Sequence, residues 1–239
     1  MTGIGTIVNI IAIIIGSTIG LIFNGGLKKR FQDILMQVLG LSVIFIGVSG
    51  ALKGMFVLKD SSLETTGSML LILSLVIGSF LGEWINIEDK MEHFGEFIKS
   101  RVKGNNNPKF VEGFVSTSLV TCVGAMAIVG SLQDGLMNDP SMLFTKSILD
   151  GVISIIFAST LGVGVLFSVI PLALYQGVIT IFAKFIEPIL SDTMINNMSF
   201  VGSVLIFGIG VNLAFGKKFK VGNMLPSLII VIISSLFIK

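Results

Sequence analysis

One cysteine, one histidine, one tryptophan and one tyrosine are all that this chain of 239 residues contains of four chemically versatile side chains. Cys122 alone cannot build an internal disulfide framework or a cysteine metal cluster, and within its apolar run it reads as a small packing residue. His93 is equally isolated. A histidine zinc site or a Ser-His-Asp relay would need partners that its charged surroundings do not supply. Charge is scarce as well: Asp, Glu, Lys and Arg make up 13% of the chain, about half the share of a soluble domain. A net charge of +2 gives no footing for nucleic-acid binding. No GxxxxGK[ST] loop and no HExxH helix occurs, so the sequence indicates no cofactor and makes an enzyme the weakest of the functional classes considered. Nor does a basic residue precede the opening stretch MTGIGTIVNIIAIIIGSTIGLIF. A cleavable signal normally begins positive and has a shorter apolar core, so this stretch reads as a retained first span.

What the chain does contain is apolar surface. Hydrophobic residues reach 53% and the mean hydropathy is +0.97, with 28 Gly and 19 Phe. Glycine at that level in an apolar background suits helices that pack closely in a bilayer. The expected fold is all-α: a polytopic transmembrane helical bundle forming a single membrane domain over 1–239. Crossing hydrocarbon takes about 20 helical residues. Runs of about that length fall at 4–23, 34–52, 67–85, 110–130, 144–161, 165–183, 199–215 and 222–238, giving about eight spans. The block from Leu143 to Ala183 would be about 60 Å long as one helix. Two crossings with a tight turn at LGVGV (Leu161 to Val165) fit better, although one long or broken helix is the other reading.

Basic residues set the orientation. One side receives Lys28, Lys29, Arg30, Lys90, Lys99, Arg101, Lys103, Lys109, Lys217, Lys218 and Lys220, and the other Lys53, Lys59, Lys146, Lys184 and Lys239. That split of 11 to 5 puts both chain ends outside; seven spans would give 10 to 6, so the count alone does not choose. IGLIFNGGLKKRF (Ile19 to Phe31) echoes IGVNLAFGKKF (Ile209 to Phe219), and the parity of that echo favours eight. A second echo, GSTIG at Gly16 to Gly20 against GSFLG at Gly78 to Gly82, marks either an internal repeat or small-residue packing. The one sizeable polar segment, 86–109, carries Ile87, Met91, Phe94, Ile98 and Val102 at helical spacing. It reads as a cytoplasmic interfacial helix ending at GNNNP.

Polar residues inside spans are the functional candidates. Asp150, Ser154 and Ala158 share one helix face at steps of four, so Asp150 is either a proton or cation ligand or a helix-start acid at the outer interface. Tyr175 and Gln176 follow Pro171, whose missing N–H would free the Phe167 carbonyl and kink the helix. Antiparallel pairing of the fifth and sixth spans would bring this pair toward Asp150. Glu112 and Ser116, together with Ser118 and Thr121, make the fourth span unusually polar, although hydroxyls there can bond to their own helix. Asn9 and Asn212 are candidates of the same kind.

Three segments in order carry a resemblance that covers essentially the full chain: EGFVSTSLVTCVGAMAIVGSLQDGL (Glu112 to Leu136), KSILDGVISIIFASTLGVGVLFSVIPLALYQG (Lys146 to Gly177), and GIGVNL (Gly208 to Leu213) with VGNMLP (Val221 to Pro226). Together they resemble a bacterial and archaeal membrane family, domain of unknown function 554. The resemblance implies an integral protein of the cytoplasmic membrane of a prokaryote, a type sometimes labelled a transporter. Glu112, Asp134, Asp150, Tyr175 and Gln176 match polar parts of the family motifs, but the family supplies no role for them. The expected function is transport of a small solute or ion, and the alternative is a structural or regulatory membrane protein. Membrane lipids and an unknown small solute or ion are the expected partners, with a homo-oligomer left open.

Overall fold

Isoleucine, valine and threonine crowd the first span, and in water such β-branched residues are poor helix formers. In hydrocarbon the balance changes, because every backbone N–H and C=O needs an internal partner and a helix supplies nearly all of them. Ile4–Asn24 accordingly forms one continuous helix, α1. The computed structural model describes residues 2–24, 29–59, 62–102, 108–122, 125–186 and 191–237. The basic connector at 25–28 and the GNNN part of the polar loop lie outside the described residues. The further helices are α2 (Lys29–Met55), α3 (Ser68–Ile85), α4 (Ile87–Arg101), α5 (Phe110–Cys122), α6 (Ala125–Met137), α7 (Ser141–Leu161), α8 (Val169–Ile181), α9 (Ala183–Ile186), α10 (Asp192–Phe215), α11 (Val221–Met224) and α12 (Pro226–Phe237).

The fold is almost entirely helical, the exception being an antiparallel hairpin of β1 (Phe56–Lys59) and β2 (Ser62–Thr65) that pairs Phe56 with Thr65. Sequence patterning gave no signal for it. Among the described residues five helical stretches, 4–23, 68–85, 141–161, 163–181 and 192–215, are long and apolar enough to cross a membrane. A sixth follows if α5 and α6, bent by 61°, count as one broken span, while Gly40–Met55 and Val221–Ser235 are shorter apolar helices. The break in the Leu143 to Ala183 block falls at Gly162, whose φ of 84° few other residues adopt readily. A 3-10 turn over Val163–Ser168 follows and runs into α8. Pro171 sits at the third residue of α8, just after the change from 3-10 to α-helix.

The chain forms two compact units. The first holds residues 1–39, 91–122 and 126–189. Its central contact is α1 against α7. A Cβ added to Gly16 would stand 2.3 Å from the Gly151 carbonyl oxygen, and one on Gly20 would stand 2.2 Å from that of Ile155. The N-terminus of α1 is held by α6: Asp134 accepts from the backbone N–H of Gly3 (3.2 Å) and Gly5 (3.0 Å). A carboxylate placed there satisfies orphan donors and favours the helix dipole. Phe110 and Phe114 of α5 form an apolar cluster with Ile98 of α4, and Phe94 meets Phe114 edge-on at 5.8 Å. In the connection before α7, Asp139 accepts from the Ser141 hydroxyl (2.6 Å) and N–H (3.0 Å), which holds its carboxyl below the ordinary range.

The second unit comprises 40–90, 123–125 and 190–239. Here too glycines let backbones touch: a Cβ on Gly78 would lie 2.3 Å from Ser227 N, and one on Gly82 would lie 1.8 Å from Asn223 O. Both members of the GSTIG and GSFLG echo thus lie on close helix contacts. A polar clasp closes this unit. Asn223 donates to Glu83 (2.6 Å) and accepts from the Glu88 N–H (2.6 Å), while Glu88 accepts from Gly222 N (3.0 Å) and pairs with Lys217 (2.7 Å).

The α1–α7 seam makes a direct prediction. Gly16→Leu and Gly20→Leu drive a side chain into backbone that cannot yield, and each is expected to cost about 1–3 kcal/mol. Gly177→Ala, at a position with nothing within 4 Å, is expected to be neutral or slightly stabilising. Thermal melts of the detergent-solubilised protein, followed by monodisperse elution, separate the two classes.

Candidate polar site within the membrane

Lys146, Asp150, Ser154 and Ala158 recur every four residues along α7 and are all buried, whereas Ile148, Leu149 and Val152 cover the outward face. Because α7 begins at Ser141, Asp150 is the tenth of its 21 residues. At 1.5 Å per residue it lies about 14 Å from one helix end and about 17 Å from the other. A carboxylate near mid-span costs about 2.5–3.5 kcal/mol even on lenient insertion scales unless it is partnered.

Asp150 has partners. Lys146, one turn earlier, forms an ion pair with its Oδ2. Asn9 of α1 donates to the same oxygen at 2.9 Å. The second hydrogen of that amide reaches Gln176 Oε1 on α8 at 3.5 Å, a long bond. The link between Asp150 and Gln176 therefore runs through α1, which packs against both α7 and α8. All four side chains are buried, Asn9 and Gln176 completely.

Three polar atoms in or beside this cluster have no hydrogen-bond partner among the described residues: Asn9 Oδ1, Gln176 Nε2 and Ser154 Oγ. The buried hydroxyls of Thr6 and Thr180 are in the same condition. Other hydroxyls are satisfied within their own helices, as Ser147 is by Leu143 O (2.6 Å), Ser118 by Phe114 O (2.6 Å) and Thr121 by Thr117 O (2.9 Å). Local bonding of this kind explains why most serines and threonines in these spans carry no signal.

Of the residues singled out in the sequence, Asn9, Asp150 and Gln176 come together, and Ser154 lies one turn from Asp150 on the same face. Tyr175 is half-buried beside Gln176, and Ser116 is half-buried on α5. Glu112 is exposed in the first turn of α5. Asn212 belongs to the second unit, where it holds the turn after α10: it donates to Phe219 O (2.7 Å) and accepts from the N–H groups of Lys218 (2.8 Å) and Phe219 (2.9 Å). The sequence places Lys146 one helical turn before Asp150, and the structure joins the two as an ion pair. No sequence signal marked Asp134 as the cap of α1.

Apolar helices long enough to cross a bilayer, enclosing a charged and amide-bearing cluster, define a polytopic helical membrane protein. The family model for proteins of unknown function DUF554 matches residues 4–236, and the chain belongs to that family. It is similar to the "Uncharacterized membrane protein YdfK" of Bacillus subtilis (strain 168), at 37% identity over 226 residues covering 95% of this chain and 93% of that protein. It is also similar to the "Uncharacterized protein YqgA" of Escherichia coli (strain K12), at 28% identity over 234 residues covering 95% and 94%. No solved structure matches the chain. It is a multi-pass protein of the cytoplasmic membrane of a prokaryote, in contact with lipid.

The ion pair is testable without a substrate. Asp150→Asn leaves the Lys146 ammonium buried without its counter-charge, and Lys146→Met leaves the carboxylate alone; each is expected to destabilise by about 3–5 kcal/mol. The double variant removes both charges and is expected to recover much of that loss. Additive losses in a thermal-denaturation cycle would show that the two side chains do not act as a pair.

Proposed function

We propose that this protein transports a small solute or ion across the cytoplasmic membrane. One observation carries the reading: a cluster of Asn9, Lys146, Asp150 and Gln176, near mid-span on α7, retains polar atoms that no described residue satisfies. Polar groups in hydrocarbon are costly, and those that persist there commonly face one another or a transported species. The bend of 61° between α5 and α6 fits this reading, since discontinuous helices often flank transport sites. Asn9, Asp150, Ser154 and Gln176 form the core of the proposed site, with Tyr175 and Ser116 beside it. Glu112 and Asn212 stand apart, as candidates for roles at a span end.

The second reading, a structural or regulatory membrane protein, is favoured by the glycine seams and by the internally bonded hydroxyls, which suffice to hold helices together without any solute. Purified protein in liposomes distinguishes the two. Under the transport reading, at least one member of a panel of monovalent salts, amino acids and small neutral solutes crosses faster than in protein-free vesicles, and Asn9→Ala slows it. Permeability equal to that of protein-free vesicles across the whole panel would overturn transport.

The proposed topology has eight crossings, with Gly40–Met55 and Val221–Ser235 spanning as well and both chain ends outside, in keeping with the 11 to 5 basic asymmetry. A cysteine at position 239, in a Cys122→Ala background, should then react with an impermeant thiol reagent applied to intact cells. Protection of that cysteine until the membrane is opened would reject this orientation.

A further inference from the structure

The proposed site has a chemical signature that narrows the solute, if the transport reading on which it rests is correct. Asn9 uses both amide hydrogens, one on Asp150 Oδ2 and one on Gln176 Oε1. Its orientation is fixed by chemistry, because turning the amide over would set its oxygen against the Asp150 carboxylate. The acceptor Asn9 Oδ1 is left over. Gln176 accepts through Oε1 and so keeps the donor Nε2 free, and among the described residues neither leftover atom has a partner. Two primary amides joined by one bond thus each keep one bonding atom to spare, an acceptor on Asn9 and a donor on Gln176. The cluster's charges, meanwhile, are already matched as Lys146 with Asp150. An anion would have to draw Lys146 from Asp150, and a cation would have to displace Lys146, each leaving a buried charge unpaired at a cost of several kcal/mol.

We infer that the solute is small and uncharged and carries a hydrogen-bond acceptor next to a donor, as a primary amide or urea does. Its carbonyl accepts from Gln176 Nε2, its N–H donates to Asn9 Oδ1, and the Lys146–Asp150 pair stays intact. Ser154, one turn beyond Asp150, supplies a hydroxyl able to give or take a further bond.

Stopped-flow light scattering on proteoliposomes of the full chain tests this, using outward-directed gradients of urea and acetamide beside NaCl and KCl. The expected result is faster equilibration of urea or acetamide than in protein-free vesicles, with both salts at the protein-free rate. Gln176→Leu and Gln176→Met each remove the donor at similar size, and each is expected to lower the facilitated rate about tenfold, the effect of one lost hydrogen bond. Their elution profiles confirm folding, and if one fails to fold the other carries the test. Facilitated salt flux without amide flux would overturn the solute class and leave transport standing. Flux of none of the four would overturn the solute class, while the wider panel of salts, amino acids and neutral solutes decides transport itself. Amide flux that is unchanged in a folded Gln176 variant would overturn the assignment of these atoms.

Discussion

The contact of α1 with α7 through Gly16, Gly20 and Gly151 sets the geometry on which the polar cluster depends. Two helices whose backbones touch bring short side chains within reach of one another, and Asn9 has only one methylene between its backbone and its amide. With a larger residue at either glycine the helices would part, and the amide would fall short of Asp150. The tight seam also excludes lipid, so that the ion pair, the two amides and the hydroxyls share a low-dielectric interior in which each polar contact is strong and each missing one is costly.

Within that interior the polar groups fall into two kinds. Ser118, Thr121 and Ser147 bond to carbonyls of their own helices and add no tendency to bind anything. Asn9, Asp150 and Gln176 bond between helices and fix how α1, α7 and α8 meet. The second unit contains a polar clasp as well, around Asn223, Glu83 and Glu88, but there the Asn223 amide has partners at both its oxygen and its nitrogen. A satisfied clasp and an unsatisfied cluster are different objects, and only the second has bonding capacity to spare.

The apolar helices were legible in the sequence because a run of about 20 apolar residues has few alternative fates. The break at Gly162 was legible for the same reason, since a 60 Å helix does not fit a bilayer. Asp150 and Gln176 stood out because polar residues in such runs are rare. What escaped was whatever depends on pairing over long sequence separations. Asn9 and Asp150 are 141 residues apart, and Asp134 reaches Gly5 across 129. The hairpin escaped for a different reason: its two strands are four residues each, too short for alternation to register.

Those separations bear on how the protein is made. Chains grow at about 5–20 residues per second, so Asp150, 141 residues later than Asn9, is synthesised roughly 7–28 s after it. Until Asp134 is made α1 lacks its carboxylate cap from α6, and until Asp150 is made its buried amide lacks a carboxylate partner. The first span is thus held in the membrane early by its apolar side chains, and its contacts with α6 and α7 are among the late events of biogenesis.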